Sequence, residues 1–158
     1  MTDGPPWRDS CWNDASDSLR KLQTDHLDCV HIHNIGREDR YLSLMQMLAE
    51  DGTLGALREA KKQGMIRHIG CTSHMRPARV LPAFETREIE VFMCTLNFVH
   101  RHIYGYEEKV LPEARRRNIA VIRMKVLGGP VKGPAARSGG LTRVNAPSAR
   151  HRRAGQRR

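Results

Sequence analysis

Long apolar runs are missing from this chain of 158 residues. None approaches the ~18–20 residues that cross a bilayer, so no membrane partner is expected. No charged-then-apolar stretch opens the chain, so a secretory leader is not expected either. Cysteines are few: Cys11, Cys29, Cys71 and Cys94 are scattered and form no C-x-x-C pair. That distribution favours four reduced thiols in a cytoplasmic protein over a disulfide framework or a zinc site. Aromatic residues are only 5% of the chain, too few to make a broad stacking platform for single-stranded nucleic acid. Glycine fingerprints are missing too. Neither Gly52-Thr53-Leu54-Gly55 nor the Gly64 to Gly70 spacing matches the patterns that cradle a dinucleotide or a phosphate.

Acidic residues are absent from one end. The chain carries 27 lysines and arginines against 17 acids, a formal charge of +10, which by itself points to a polyanionic partner. Residues 1–127 hold 19 basic and 17 acidic side chains and are nearly neutral. Residues 128–158 hold eight basic side chains (Lys132, Arg137, Arg143, Arg150, Arg152, Arg153, Arg157, Arg158) and no acid. Gly128, Gly129, Pro130, Gly133, Pro134, Gly139, Gly140 and Pro147 interrupt every element there. Such a segment cannot bury enough apolar area to offset its ordering entropy, so a disordered basic tail is expected. Nucleic acid could bind only through that tail, with steep salt dependence. Nothing in it reads bases, and a fortuitous extension rich in Arg, Ala, Gly and Pro is the favoured reading.

What remains is rhythm. Residues 1–11, with Gly4, Pro5 and Pro6, read as a flexible lead-in, and residues 12–127 as the body. Ala15, Leu19 and Leu22 fall at helical spacing after Asp14 or Ser16 as cap. Leu27 to His33 suits a strand. Tyr41 to Glu50 and Leu54 to Lys62 read as helices, the second closed by Gly64. Ile66 to Cys71 is a short strand, and Pro77 to Phe84 a helix with proline in its first turn. Glu90 to Leu96 is a strand, and Glu107 to Arg117 a helix with acids first and arginines last, followed by Asn118 as left-handed cap. Ile119 to Met124 is the fourth strand. Strands alternating with helices are the signature of parallel βα units, so the fold class is α/β.

Candidate chemistry sits at strand ends. His31 and His33 share one face of their strand, but the sequence places no third ligand for a metal, so a structural or proton-donating role is preferred. His33 lies at the carboxyl end, where parallel α/β sheets carry their functional groups. Lys125 ends the fourth strand in the same way. It could form a Schiff base if burial tuned it, while the plainer reading is a solvated lysine. The Arg115-Arg116-Arg117 run reads as a solvated helix terminus.

The order of segments resembles a known family. Ser18-Leu19-Arg20-Lys21-Leu22-Gln23-Thr24-Asp25-His26-Leu27-Asp28, then His31-Ile32-His33, is similar to the S-L-x-x-L-x-T-D-x-x-D…H stretch of the aldo-keto reductases. Ala56 to Gly70 resembles the next signature, a helix ending in K-x-G-x-I-R before an I-G strand. Asn97 resembles the asparagine after the sixth barrel strand. Met124-Lys125-Val126-Leu127-Gly128-Gly129 is similar to the M-K-P-L-G-G form of the seventh. The resemblance covers about residues 10–129.

It implies a partial (β/α)8 TIM-type barrel of about four units and NADPH-dependent reduction of a small carbonyl compound. In that chemistry a tyrosine, tuned by a lysine, an aspartate and a histidine, donates the proton. His33 falls on the family's histidine. Thr72 and Ser73 fall on the Ser-Asn pair that holds the nicotinamide carboxamide, and Met124 on the residue that stacks on the ring. Met93 replaces the glutamine of the sixth strand. The tyrosine, lysine and aspartate belong to strands before the matched segment, and Tyr41, Tyr104 and Tyr106 do not take their place. The eighth strand and the motif for the cofactor's phosphate are not recognisable. A poorly active partial barrel, associating through exposed sheet edges, is the resulting expectation.

Overall fold

The computed structural model describes residues 6–36 and 43–127, all within one unit, Met1–Gly128. The tail expected over 128–158, the first five residues and Tyr41 lie outside the described residues. Four strands, β1 (Leu27–Ile32), β2 (Ile66–Ser73), β3 (Val91–Thr95) and β4 (Ala120–Met124), form one sheet in the order β1-β2-β3-β4. Every pairing is parallel. Sequential neighbours joined by helical crossovers are the wall of a (β/α) barrel, four units long, as the sequence led us to expect.

The helices are α1 (Pro6–Leu22), α2 (Leu44–Leu48), α3 (Thr53–Lys62), α4 (Val80–Glu85), α5 (His100–Ile103), α6 (Tyr106–Lys109) and α7 (Leu111–Arg116). The first begins well before residue 11, inside the stretch read as lead-in. Pro6 starts it because a first-turn residue needs no amide hydrogen. Ser43 caps α2 in a reciprocal box, accepting from the Gln46 amide while the Gln46 side chain accepts from Ser43 N–H. A single 3-10 turn over Pro77–Arg79 leads into α4. The helix expected over Glu107 to Arg117 is two, because Pro112 cannot donate to the preceding turn. Asn118 takes the left-handed conformation, φ 56°.

Side chains alternate across the sheet. Ile32, Ile69, Cys71, Phe92 and Cys94 turn toward the helices and are buried with Leu54, Leu57, Phe84 and Val110. Phe92 meets Phe84 edge-on, ring centroids 5.4 Å apart, and lies 6.0 Å from the Tyr106 ring. The opposite face stays in contact with solvent among the described residues: the side chain of His68 is 53% exposed, and Ile122 is 42% exposed. On β2 that face carries His68, Gly70 and Thr72, alternating with the apolar Ile69 and Cys71, and towards the carboxyl end Gly70 and Thr72 are buried on it as well.

The amino end of the sheet is tied by charge. Glu90 accepts from Lys61, from the His68 ring at 2.9 Å and from the Ile69 amide at 3.3 Å. Burial alone would raise its carboxyl, but those donors bring it down to about 2. Arg58 holds Glu88 through two bonds, 2.7 and 2.8 Å. Arg117 departs from the solvated terminus expected of the arginine run. Its side chain is 15% exposed and donates to the Phe84 carbonyl at 2.8 Å and to Glu85 at 2.5 Å, joining α7 to α4.

Candidate functional site

Parallel pairing brings the four carboxyl strand ends to one edge. Ile32 lies beside Cys71, Ser73 beside Cys94, and Thr95 beside Met124. Residues at and just after those ends are therefore neighbours although they lie far apart in sequence: His33, Thr72 to His74, Thr95 to Asn97, Met124 and Lys125. This is the end at which barrel folds keep their chemistry.

His33 follows β1, and its ring lies 6.0 Å from that of His74 at 76° between planes. His74, which immediately follows the Thr72-Ser73 pair, was not singled out in the sequence. Its position directly after a strand was the available signal. Lys125 Nζ donates to His74 Nδ1 at 3.1 Å, which leaves the His74 proton on Nε2. Lys125 itself is exposed, on a left-handed backbone with φ 55°. The desolvated pocket that Schiff-base formation calls for does not surround it. Asn97 fastens this end, donating from Nδ2 to the Lys125 carbonyl at 3.1 Å and accepting the amides of Val99 and His100.

Thr72 and Ser73 point in opposite directions. Ser73 is fully buried on the helix side, where its hydroxyl donates to the Met75 carbonyl at 2.7 Å and meets the Tyr106 hydroxyl at 2.7 Å. Thr72 shares the face of Gly70 and pairs with Met93. It is 5% exposed, and its hydroxyl has no hydrogen-bond partner. A buried hydroxyl without a partner costs free energy unless something supplies one, so Thr72 fits a polar ligand group at this end. Met124, on the same face of β4 as Ile122, is half-buried and offers apolar contact.

His31 lies inward of these. Its ring packs where a Gly70 side chain would stand, and 3.8 Å from Cys29 Sγ, and burial pushes its imidazole below the usual range. Among the described residues no three His, Cys, Asp or Glu side chains are grouped to hold a metal. No described helix is long and apolar enough to cross a membrane. An open cavity of about 290 Å³ between Phe84, Ile89, Arg117 and Ile119 lies at the amino ends of β3 and β4, away from these residues.

Comparison with known proteins agrees with the geometry. A profile of the Aldo/keto reductase family matches residues 7–149, running past Gly129 where recognisable motifs end. No curated protein matches. Among solved structures, an aldo-keto reductase of Bacillus halodurans in its holo form is 24% identical, with a TM-score of 0.59 over 77% of this chain and 37% of its own. An aldo/keto reductase of Klebsiella pneumoniae, solved in complex with NADP and acetate, is 22% identical, with a TM-score of 0.56 over 72% of this chain and 36% of its own. The chain thus spans well under half the length of these structures. Four parallel βα units in barrel order and a family match over most of the sequence lead to one conclusion: the chain belongs to the aldo/keto reductase family.

Proposed function

We propose that this chain supplies the nicotinamide end of an NADPH-dependent carbonyl reductase. The observation that carries the reading is the Thr72 hydroxyl, buried and without a partner on the face where the family holds its cofactor. Bound NADPH supplies the hydride that such a reduction needs. Thr72 would exchange a hydrogen bond with the carboxamide, and Met124 would offer its apolar side chain to the ring. Ser73 does not share that task, since its hydroxyl is already engaged by Met75 and Tyr106. His33 stands at the mouth as a hydrogen-bond donor to a carbonyl oxygen, where it stabilises developing negative charge. The substrate is a small carbonyl compound. The proposal includes self-association through β4, whose Val121 and Ile122 are 38% and 42% exposed; a monomer in sedimentation of the purified protein would remove this part of it.

Titrating the purified protein with NADPH and following cofactor fluorescence tests the reading. Thr72→Val keeps the shape and removes the hydroxyl. Losing one neutral hydrogen bond weakens NADPH binding by about 2- to 10-fold. Because that hydroxyl has no protein partner, the thermal midpoint should hold or rise. Unaltered affinity, or a midpoint that falls, would remove Thr72 from the site.

A further inference from the structure

Three carbonyls at the end of β2 and in the turn that follows are held. Thr72 O accepts from the Ile35 amide at 3.0 Å, and His74 O from the Thr95 hydroxyl at 3.2 Å. Met75 O accepts from Ser73 Oγ at 2.7 Å, and the single Tyr106 hydroxyl proton is shared between Ser73 Oγ at 2.7 Å and Met75 O at 3.1 Å. Three of these donors come from the ends of neighbouring strands or from the turn itself. The fourth comes from α6, on the far side of the sheet from the mouth. Tyr106 has no exposed surface, and its ring is fixed between Phe92 at 6.0 Å and Tyr104 at 6.3 Å. A phenol hydroxyl carried into such a core is retained at a desolvation cost, and here its partners are the Ser73 side chain and the Met75 carbonyl, on either side of His74.

We propose that the Tyr106 hydroxyl is a positioning group for the mouth of the barrel. By gripping Ser73 and the Met75 carbonyl it fixes the turn that sets His74 between His33 and Lys125. The mechanical path is short. Ser73 and Met75 flank His74, so both neighbours of that residue are pinned by one hydroxyl from outside the turn. With the turn fixed, the His74 ring reaches Lys125 Nζ at 3.1 Å and stands edge-on to His33. Strand alternation turns Ser73 away from the open face, and Tyr106 fills its hydrogen bond on the helix side, while Thr72 faces the mouth alone. Tyr106 touches neither cofactor nor substrate. Its importance for catalysis rests on the carbonyl-reductase reading, but its effect on His74 does not.

Tyr106→Phe, made in the full chain, removes the hydroxyl and keeps the ring in its aromatic seat. Three quantities separate the outcomes: the imidazole nitrogen resonances of His74 (assigned with His74→Gln), the NADPH dissociation constant, and the thermal midpoint. In the wild type His74 Nδ1 should report an accepting nitrogen. In Tyr106→Phe that signature is expected to weaken, and NADPH affinity to fall by less than in Thr72→Val, because no contact to the cofactor itself is removed. Ser73→Ala approaches the same link from the other side. Combined with Tyr106→Phe it should add less than its separate effect. His74 resonances that are the same in wild type and Tyr106→Phe would overturn the inference, whatever happens to the midpoint. If the wild type binds no NADPH yet the His74 resonances move, the positioning role stands and the cofactor reading falls.

Discussion

Gly70 is a point of close approach in the strand wall, and Gly70→Ala measures that closeness. A Cβ at this position would stand 2.6 and 2.8 Å from two atoms of the His31 ring and 2.9 Å from the Val91 carbonyl oxygen. The backbone there is not left-handed, so alanine brings no conformational strain of its own. It would in fact stabilise by about 0.5–1 kcal/mol, because the unfolded chain loses freedom. Against this stands overpacking, about 1–3 kcal/mol for one methyl group in a filled space. The net is a loss of up to about 2.5 kcal/mol, or up to roughly 10 °C in thermal midpoint for a body of this size. Two of the three close atoms belong to His31, on a flexible side chain, and the third to backbone. His31→Ala should therefore relieve most of the penalty. In urea denaturation followed by circular dichroism, the double variant should be more stable than the sum of the singles by about 1 kcal/mol. Additive effects would refute the packing of β1 against β2 through these two residues.

Acid should act through Glu90. Its carboxyl is held at about 2 against an ordinary 4.5, so the stability it contributes is complete above 4.5 and disappears as pH falls toward 2. Lys61, His68 and the Ile69 amide are the groups that face it, and Glu90→Gln should flatten the decline of thermal midpoint across that window. A wild-type decline of the same steepness in the variant would place the acid sensitivity elsewhere. The arginine run offers a comparison between adjacent residues. Arg117→Ala removes bonds to Phe84 and Glu85 and should lower the midpoint clearly. Arg116→Ala removes one end of an exposed i,i+3 pair with Glu113 and should hardly move it. Equal effects would mean that Arg117 does not join α7 to α4.

The strand cores were readable in two ways: β2 leaves a period-two trace, Ile69 and Cys71 with Gly70 between, and β3 a continuous apolar run from Val91 to Cys94. Helix ends were readable where local chemistry decides them, as at Asn118. The misses have tertiary causes. α5 was not expected, because His100 to Ile103 has no helical period. Its first amides are gathered by the Asn97 side chain, which is itself held by the Lys125 carbonyl 28 residues away. β2 runs two residues beyond Cys71 because Met93 and Cys94 are there to pair with Thr72 and Ser73. Nothing within β2 itself signals that partner.

That two-residue extension decides the reading of the site. A pair of hydroxyl residues in a loop can both turn toward a ligand, and Thr72 and Ser73 look like such a pair when the strand is taken to end at Cys71. On a strand they cannot, because adjacent side chains project to opposite faces. Once β3 carries the strand through Ser73, one hydroxyl must face the helices and the other the mouth. Tyr106, 33 residues further on, then determines what the inward hydroxyl does. The family resemblance assigned one role to two positions. Strand alternation divides it, giving Thr72 an unfilled hydrogen bond at the mouth and Ser73 a filled one in the core, which is why Thr72→Val and Ser73→Ala should differ in kind. The first should reduce affinity and leave stability intact. The second should reduce both, because it frees the turn that carries His74.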